Sequence, residues 1–214
     1  MHAIDQTKRG IFDRGTRLMH WLTFGLMLAV FIMAFSIDLA ASRAAHVAIL
    51  QAHRLTGLAI WLVTLFRLAW RQNASYPDWP SDMARSTQVL AKATEYSLYA
   101  MLLLQPILGL LQTNAHGDRV SLWLLGPLPA LIGEDRAFAQ QLLAAHKVVG
   151  FSLLGVIVLH ASAALFHHLV RRDDILVRML PVAALTRRTA TRARNTAAAA
   201  KVAETTAISS QSTI

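Results

Sequence analysis

The sequence predicts an all-α membrane protein, a four-transmembrane-helix bundle with both termini cytoplasmic. Three observations carry that expectation. The 214-residue chain is 55% hydrophobic and only 15% charged, whereas about a quarter of an ordinary soluble domain is charged. Stretches 18–37, 55–66, 96–117 and 148–170 contain no Asp, Glu, Lys or Arg. The basic residues are also distributed unevenly around those stretches.

A span needs about 20 apolar residues, and three of the stretches are that long. The second is shorter, between Arg54 and Arg67, but its apolar character runs from about Ile49 to Trp70. Thirteen residues of helix rise about 20 Å, so both arginines can snorkel or pair near opposite faces. In order, residues 1–16 form a cytoplasmic lead and the first span covers about 17–37. "DLAASRAAHVA" makes a short outer loop before the second span at about 49–71. "RQNASYPDWPSD" then turns back, and its Pro77 and Pro80 end the helix and keep the connection extended. The third span covers about 90–113 and contains Pro106, which membrane helices tolerate when neighbours compensate the freed carbonyl. "HGDRVSLWLLGPLPALIGEDRAFAQ" reads as an interfacial cap over the outer end, with Trp123 at the headgroup level. The fourth span covers about 140–170, and "RRDDILVRMLP" closes a four-helix domain over 17–181. Residues 182–214 are rich in Ala, Thr, Ser and Arg without apolar periodicity. That composition predicts a disordered basic tail able to rest on anionic lipid.

The formal charge of +9 could suggest nucleic acid, but its placement argues against that. With four spans, sixteen of the 21 Lys and Arg residues fall on the side of the termini. The other side holds Arg43, Arg54, Arg119, Arg136 and Lys147. The positive-inside rule then places the termini in the cytoplasm of a multi-pass protein. The chain has no cysteine, which excludes disulfides, thiolate catalysis, iron–sulfur clusters and covalent C-x-x-C-H haem attachment. The first span is too long for a signal-peptide core and lacks a clear cleavage site, so no cleavable signal is expected.

Ionisable residues inside a span are costly and usually functional. Four of the nine histidines lie in or at the ends of spans: His20, His53, His146 and His160. On the fourth span, fourteen residues turn 1400°, which leaves His160 about 40° from the face of His146 and about 21 Å along the axis. His146 is then level with His53 of the second span, toward the outside. His160 faces the half that holds His20. Two histidine pairs at two depths are what two bis-histidine haems need, with two strong axial ligands and no open iron position. A transition-metal site or a proton pathway are the competing readings. Gly57 and Gly150 each lie four residues after a histidine, on its face. They either let a flat macrocycle lie against the backbone or serve ordinary helix packing. His20 sits only three residues past Arg17, so its depth matches His160 only if the first helix begins below the surface or tilts. His167 is the alternative partner for His20, and His167–His168 could otherwise be a solvated interfacial pair or touch propionates or a quinone head group.

Several stretches, taken together, resemble the bacterial cytochrome b561 family of small four-helix quinone-linked cytochromes. They are "FDRGTRLMHWL", "AHRLTGLAIWLVTLFRLAWR", "LLQPILGLLQT", "GDRVSLWLLGPLPAL" and "AAHKVVGFSLLGVIVLHASAALFHHLVRRDDILVRMLP". The resemblance covers about residues 11–181. It implies two haem b groups, with axial pairs His20–His160 and His53–His146, and so favours His160 over His167. It also implies electron transfer between a periplasmic-side donor, superoxide among them, and ubiquinone or another quinone of the membrane pool. In the superoxide case the activity is that of a superoxide:quinone oxidoreductase. The alternative is a haem-bearing anchor subunit that wires a partner redox enzyme to quinone. Arg54, Arg119 and Lys147 form an outer cationic rim able to attract an anion, pair with propionates or anchor the interface. Arg14, Arg17, Arg67 and Arg71 are the inner candidates for propionate or quinone contacts. The expected partners are therefore the lipid bilayer, quinone and a periplasmic donor or redox subunit, with no nucleic acid.

Overall fold

In the computed structural model, residues 10–74, 77–79, 83–122 and 125–180 are described. Four long helices dominate. They are α1 (Arg14–Ser36), α2 (Arg43–Arg71), α3 (Arg85–Ala115) and α4 (Arg136–Phe166). A 3-10 turn at Ile37–Leu39 extends α1, and a π-helical turn at His167–Arg171 extends α4. A two-stranded antiparallel ribbon, β1 (Ser121–Leu122) with β2 (Gly126–Pro127), lies in the α3–α4 connection, and the short α5 (Ile175–Met179) follows α4. All four long helices are long and apolar enough to cross a membrane.

The helices start earlier than the apolar runs predict, at residues 14, 43, 85 and 136 rather than about 17, 49, 90 and 140. Capping explains three of these. Asp13, Ser42 and Asp135 each stand before a first turn and accept the backbone N–H of Thr16, Ala45 and Phe138 at 3.0, 3.2 and 2.9 Å. Those caps satisfy donors that have no partner within the helix. At α3 the Gln88 amide donates to the Met83 carbonyl at 3.0 Å and ties down the first turn. Polar and charged first turns therefore stay helical beyond the apolar span. Pro106 lies inside α3, which continues to Ala115.

Each helix contributes one residue to a central apolar layer of Met27, Ile60, Leu102 and Leu153. Elsewhere the bundle surface is apolar, with Leu28, Phe66, Phe151 and Val158 all more than half exposed, as lipid contact requires. The helices do not pack equally: α4 lies close along α3, and α2 close along α1 and α3. By comparison α4 stands off from α1 and α2. That gap is where the histidines lie.

Two segments close the ends. At the outer end, Gly117 terminates α3 at φ +93°, where a Cβ would also press the Glu134 carboxylate at 3.1 Å. The buried Asn114 accepts the Leu131 N–H at 2.9 Å, and Gln51 of α2 donates to the Ser121 carbonyl at 2.6 Å. The described part of the outer connection thus folds over the bundle, while Trp123 lies outside the described residues. At the inner end the Arg17 guanidinium donates to the Leu180 carbonyl, and the Trp21 indole to that of Met179, both at 3.0 Å. Arg178 reaches the Asp78 carbonyl at 2.9 Å. The α5 segment therefore fastens α1 to the loop after α2. The expected disordered tail of 182–214 lies outside the described residues.

Candidate functional site

The two helical depths predicted for the histidines are occupied by two pairs. His53 of α2 faces His146 of α4, with ring centroids 6.2 Å apart and planes at 70°. His20 of α1 faces His160 of α4, also at 6.2 Å, with planes at 58°. His167 goes elsewhere: its Nδ1 pairs with the Asp173 carboxylate in the closing segment. His168 is exposed. The depth problem at His20 has a physical answer in α5. Arg17 is only 5% exposed beneath that segment, so the face of α1 one turn before His20 is covered by protein.

The outer pair is held by main-chain carbonyls. His53 Nδ1 lies 3.2 Å from the Val30 carbonyl of α1, and His146 Nδ1 lies 3.2 Å from the Gln105 carbonyl of α3. A carbonyl can only accept, so each Nδ1 must carry the proton, and each Nε2 keeps its lone pair. Metal-bound histidines are generally oriented in this way. The Gln105 side chain completes the clamp by donating to the His146 carbonyl at 2.8 Å. Among the described residues no hydrogen bond reaches the ring nitrogens of His20 or His160.

Four observations fit a flat iron macrocycle at each level. Imidazole–metal bonds of about 2.0–2.1 Å put the centres of two rings on opposite sides of one iron roughly 6 Å apart, and both pairs show 6.2 Å. The helices that carry the pairs stand apart. The Nε2 lone pairs of the outer pair are free for a metal. Among the described residues no three His, Asp or Glu side chains converge as a polydentate metal site. The two glycines divide between their two readings. A Cβ at Gly57 would meet nothing within 4 Å, which leaves space beside His53. At Gly150 it would lie 2.9 Å from the Gln105 amide nitrogen, so that glycine serves helix packing and gives Gln105 access to His146.

The predicted cations have definite places. Arg54 bonds Asp118 at 3.0 Å. Lys147, Arg119 and Arg14 are exposed. Arg67 donates to Thr23 at 3.2 Å and lies over the Tyr99 ring at 5.5 Å. Arg71 pairs with Glu95 and lies 5.9 Å from both Tyr96 and Tyr99. Arg17 is committed to the Leu180 carbonyl.

Sequence reasoning passed over Gln105 and Gly109. A Cβ at Gly109 would lie 3.1 Å from His146 Cε1, so this glycine leaves room for the imidazole. The signal for Gln105 was present, since a polar side chain inside a charge-free span calls for the same explanation as a histidine. Nothing in the spacing marked Gly109, because its role depends on how closely α3 approaches α4.

Comparison with known proteins agrees with this architecture. The sequence pattern of prokaryotic cytochrome b561 matches residues 11–182. Cytochrome b561 homolog 2 of Escherichia coli is 28% identical over 130 residues, 61% of this chain and 69% of that protein. Cytochrome b561 homolog 1 of the same organism is 24% identical over 79% of this chain and 97% of its own. A protein of Yersinia pestis named probable superoxide oxidase CybB is 31% identical over 168 residues, 76% of this chain and 91% of that one. A membrane bundle with paired intramembrane histidines and a match over nearly all its described residues is a haem b electron-transfer protein, and the chain belongs to the prokaryotic cytochrome b561 family.

Proposed function

We propose that this cytochrome carries two haem b groups, the outer between His53 and His146 and the inner between His20 and His160. In this reading it passes electrons from a periplasmic-side donor to the membrane quinone pool. The observation that carries the proposal is the pair of equal 6.2 Å ring separations at two levels of one helix. Bound haem supplies a one-electron iron couple with both axial positions filled, which suits electron transfer over oxygen chemistry. The protein's own groups do the rest. The carbonyls of Val30 and Gln105 hold the outer imidazoles with Nε2 toward the gap. The apolar layer of Met27, Ile60, Leu102 and Leu153 packs between the two levels.

Superoxide is the donor this reading favours, drawing on the name of the Yersinia pestis relative and on the outer rim of Arg54, Arg119 and Lys147. Two superoxide ions would each lose one electron and become oxygen, while one quinone takes two electrons and two protons. The exposed Arg14 and Lys147 are the candidates left for propionate or quinone contacts, since Arg54 pairs with Asp118 and Arg67 donates to Thr23. Arg17 and His167 are already engaged by the closing segment. The charge distribution supports cytoplasmic termini, and an inner-membrane location belongs to the same reading.

Purified protein should show a b-type reduced-minus-oxidised spectrum with two haems per chain. His53→Ala and His146→Ala should each remove one and the same haem, and His20→Ala and His160→Ala the other. Loss of a haem in His167→Ala, with both kept in His160→Ala, would overturn the inner pairing. Slow stopped-flow reaction of oxidised protein with superoxide would shift the reading to an anchor subunit that serves a partner enzyme.

A further inference from the structure

We propose that Arg67 sets the inner histidine site at a higher redox potential than the outer one and so gives the electron path its direction. The inference rests on the dihaem reading above. It starts from an asymmetry of charge. Arg67 reaches from α2 to Thr23, which is buried on α1 one turn beyond His20. There it acts electrostatically on both His20 and His160, with Glu95 opposing it at His160 but not at His20. Its near neighbours are a neutral hydroxyl and the Tyr99 ring, and among the described residues no carboxylate forms an ion pair with it. Glu95, the acidic group nearby, is engaged by Arg71. The three side chains Arg67, Arg71 and Glu95 therefore leave one net positive charge beside the inner pair.

The outer pair has no such surplus in its interior. Arg54 acts on His53, but Asp118 lies 3.0 Å away and cancels it. His116 lies 3.7 Å from the same carboxylate. Lys147 and Arg119 are exposed, and neither is among the charges that act on His53 or His146. Reduction adds one negative charge to a site, so a nearby desolvated cation favours the reduced form. One electron given up at the outer site and one gained at the inner, with no bond made or broken, is then a downhill exchange.

The test is an equilibrium redox titration of the purified holoprotein in detergent, with His53→Ala used to identify the inner component. Two components are expected, the inner one higher. In Arg67→Gln the inner reduced-to-oxidised ratio at fixed potential should fall roughly tenfold, the scale of one charge near 10 Å at an effective dielectric of about 20. That is about 59 mV for a one-electron couple. Arg67→Lys keeps the charge and should hold the ratio, which a purely structural role would not do. Should Arg67→Gln lose its haem, Glu95→Gln is the second variant, and removing that counter-charge should raise the inner ratio. Two components that ignore these changes, or an inner component lower than the outer, overturn the inference and leave the dihaem proposal standing. A wild-type protein without two b-type components overturns both.

Discussion

Replacing Gly109 with alanine is expected to weaken the outer haem site while the fold grows no weaker. A Cβ built at this position lies 3.1 Å from His146 Cε1 and 3.4 Å from Nδ1. Ordinary carbon contacts begin near 3.5 Å, so the ring must yield by a few tenths of an ångström. His146 has little freedom to do so, because its Nδ1 is tied to the Gln105 carbonyl and its own carbonyl to the Gln105 amide. Turning the ring about 30° off its rotamer costs about 0.5–1.5 kcal/mol, and a metal site tolerates bond errors of only about 0.2 Å. Each 1.36 kcal/mol is about tenfold in affinity, so the outer haem should bind three- to tenfold more weakly. Alanine meanwhile gains about 1 kcal/mol of helix propensity over glycine, so global unfolding should not come earlier. Haem content by pyridine extraction, with the axial-ligand signals of the two haems resolved by electron paramagnetic resonance, reads the effect directly. Equal loss of both haems, or an unchanged outer signal, would refute the claim that Gly109 makes room for His146.

Two further outcomes follow from packing and charge. Leu153 is 2% exposed at the centre of the apolar layer. Leu153→Ala should therefore destabilise the bundle by about 2–5 kcal/mol, seen as earlier thermal loss of the haem spectrum in detergent. At the inner end, burial by itself would raise the Asp173 carboxyl. It is outweighed by hydrogen bonds from His167 and the Ile175 N–H and by the charges of His167 and Arg171, which hold the group below its usual 3.8. A depressed carboxyl stabilises the fold above pH 3.8 and loses that contribution as pH falls through its lower folded value. Protease sensitivity between residues 167 and 180 should therefore rise below about pH 4, and Asp173→Asn should show that sensitivity already at neutral pH.

The four spans were legible because lipid demands uninterrupted apolar length, and the histidine pairing because helical angle and rise are fixed quantities. Helix starts were legible only in part, since Ser42 and Asp135 cap turns that lie beyond the apolar runs. The clamp on His146 was hidden for a different reason. Spans that are apolar on every side do not reveal which face meets a neighbour, so the closeness of α3 to α4 at Gln105, Gly109 and Gly150 left no periodic trace. The burial of Arg17 was hidden too, because a basic residue at a span end reads as an interfacial anchor until α5 is seen folding beneath it.

The layer of Met27, Ile60, Leu102 and Leu153 has an energetic consequence for the whole membrane. Met27, Ile60 and Leu153 each stand seven residues from a paired histidine of their own helix, while the helix of Leu102 has none. Saturated side chains offer no relay for a proton, whereas electron tunnelling between two haems would need none. A crossing between the two levels thus displaces charge with no ion moving alongside it. Such a displacement couples to the membrane voltage, which weights a full crossing by about 2.3 kcal/mol per 100 mV. In the dihaem reading proposed above, the bundle is an insulated conductor whose throughput the cell's own potential would slow or speed.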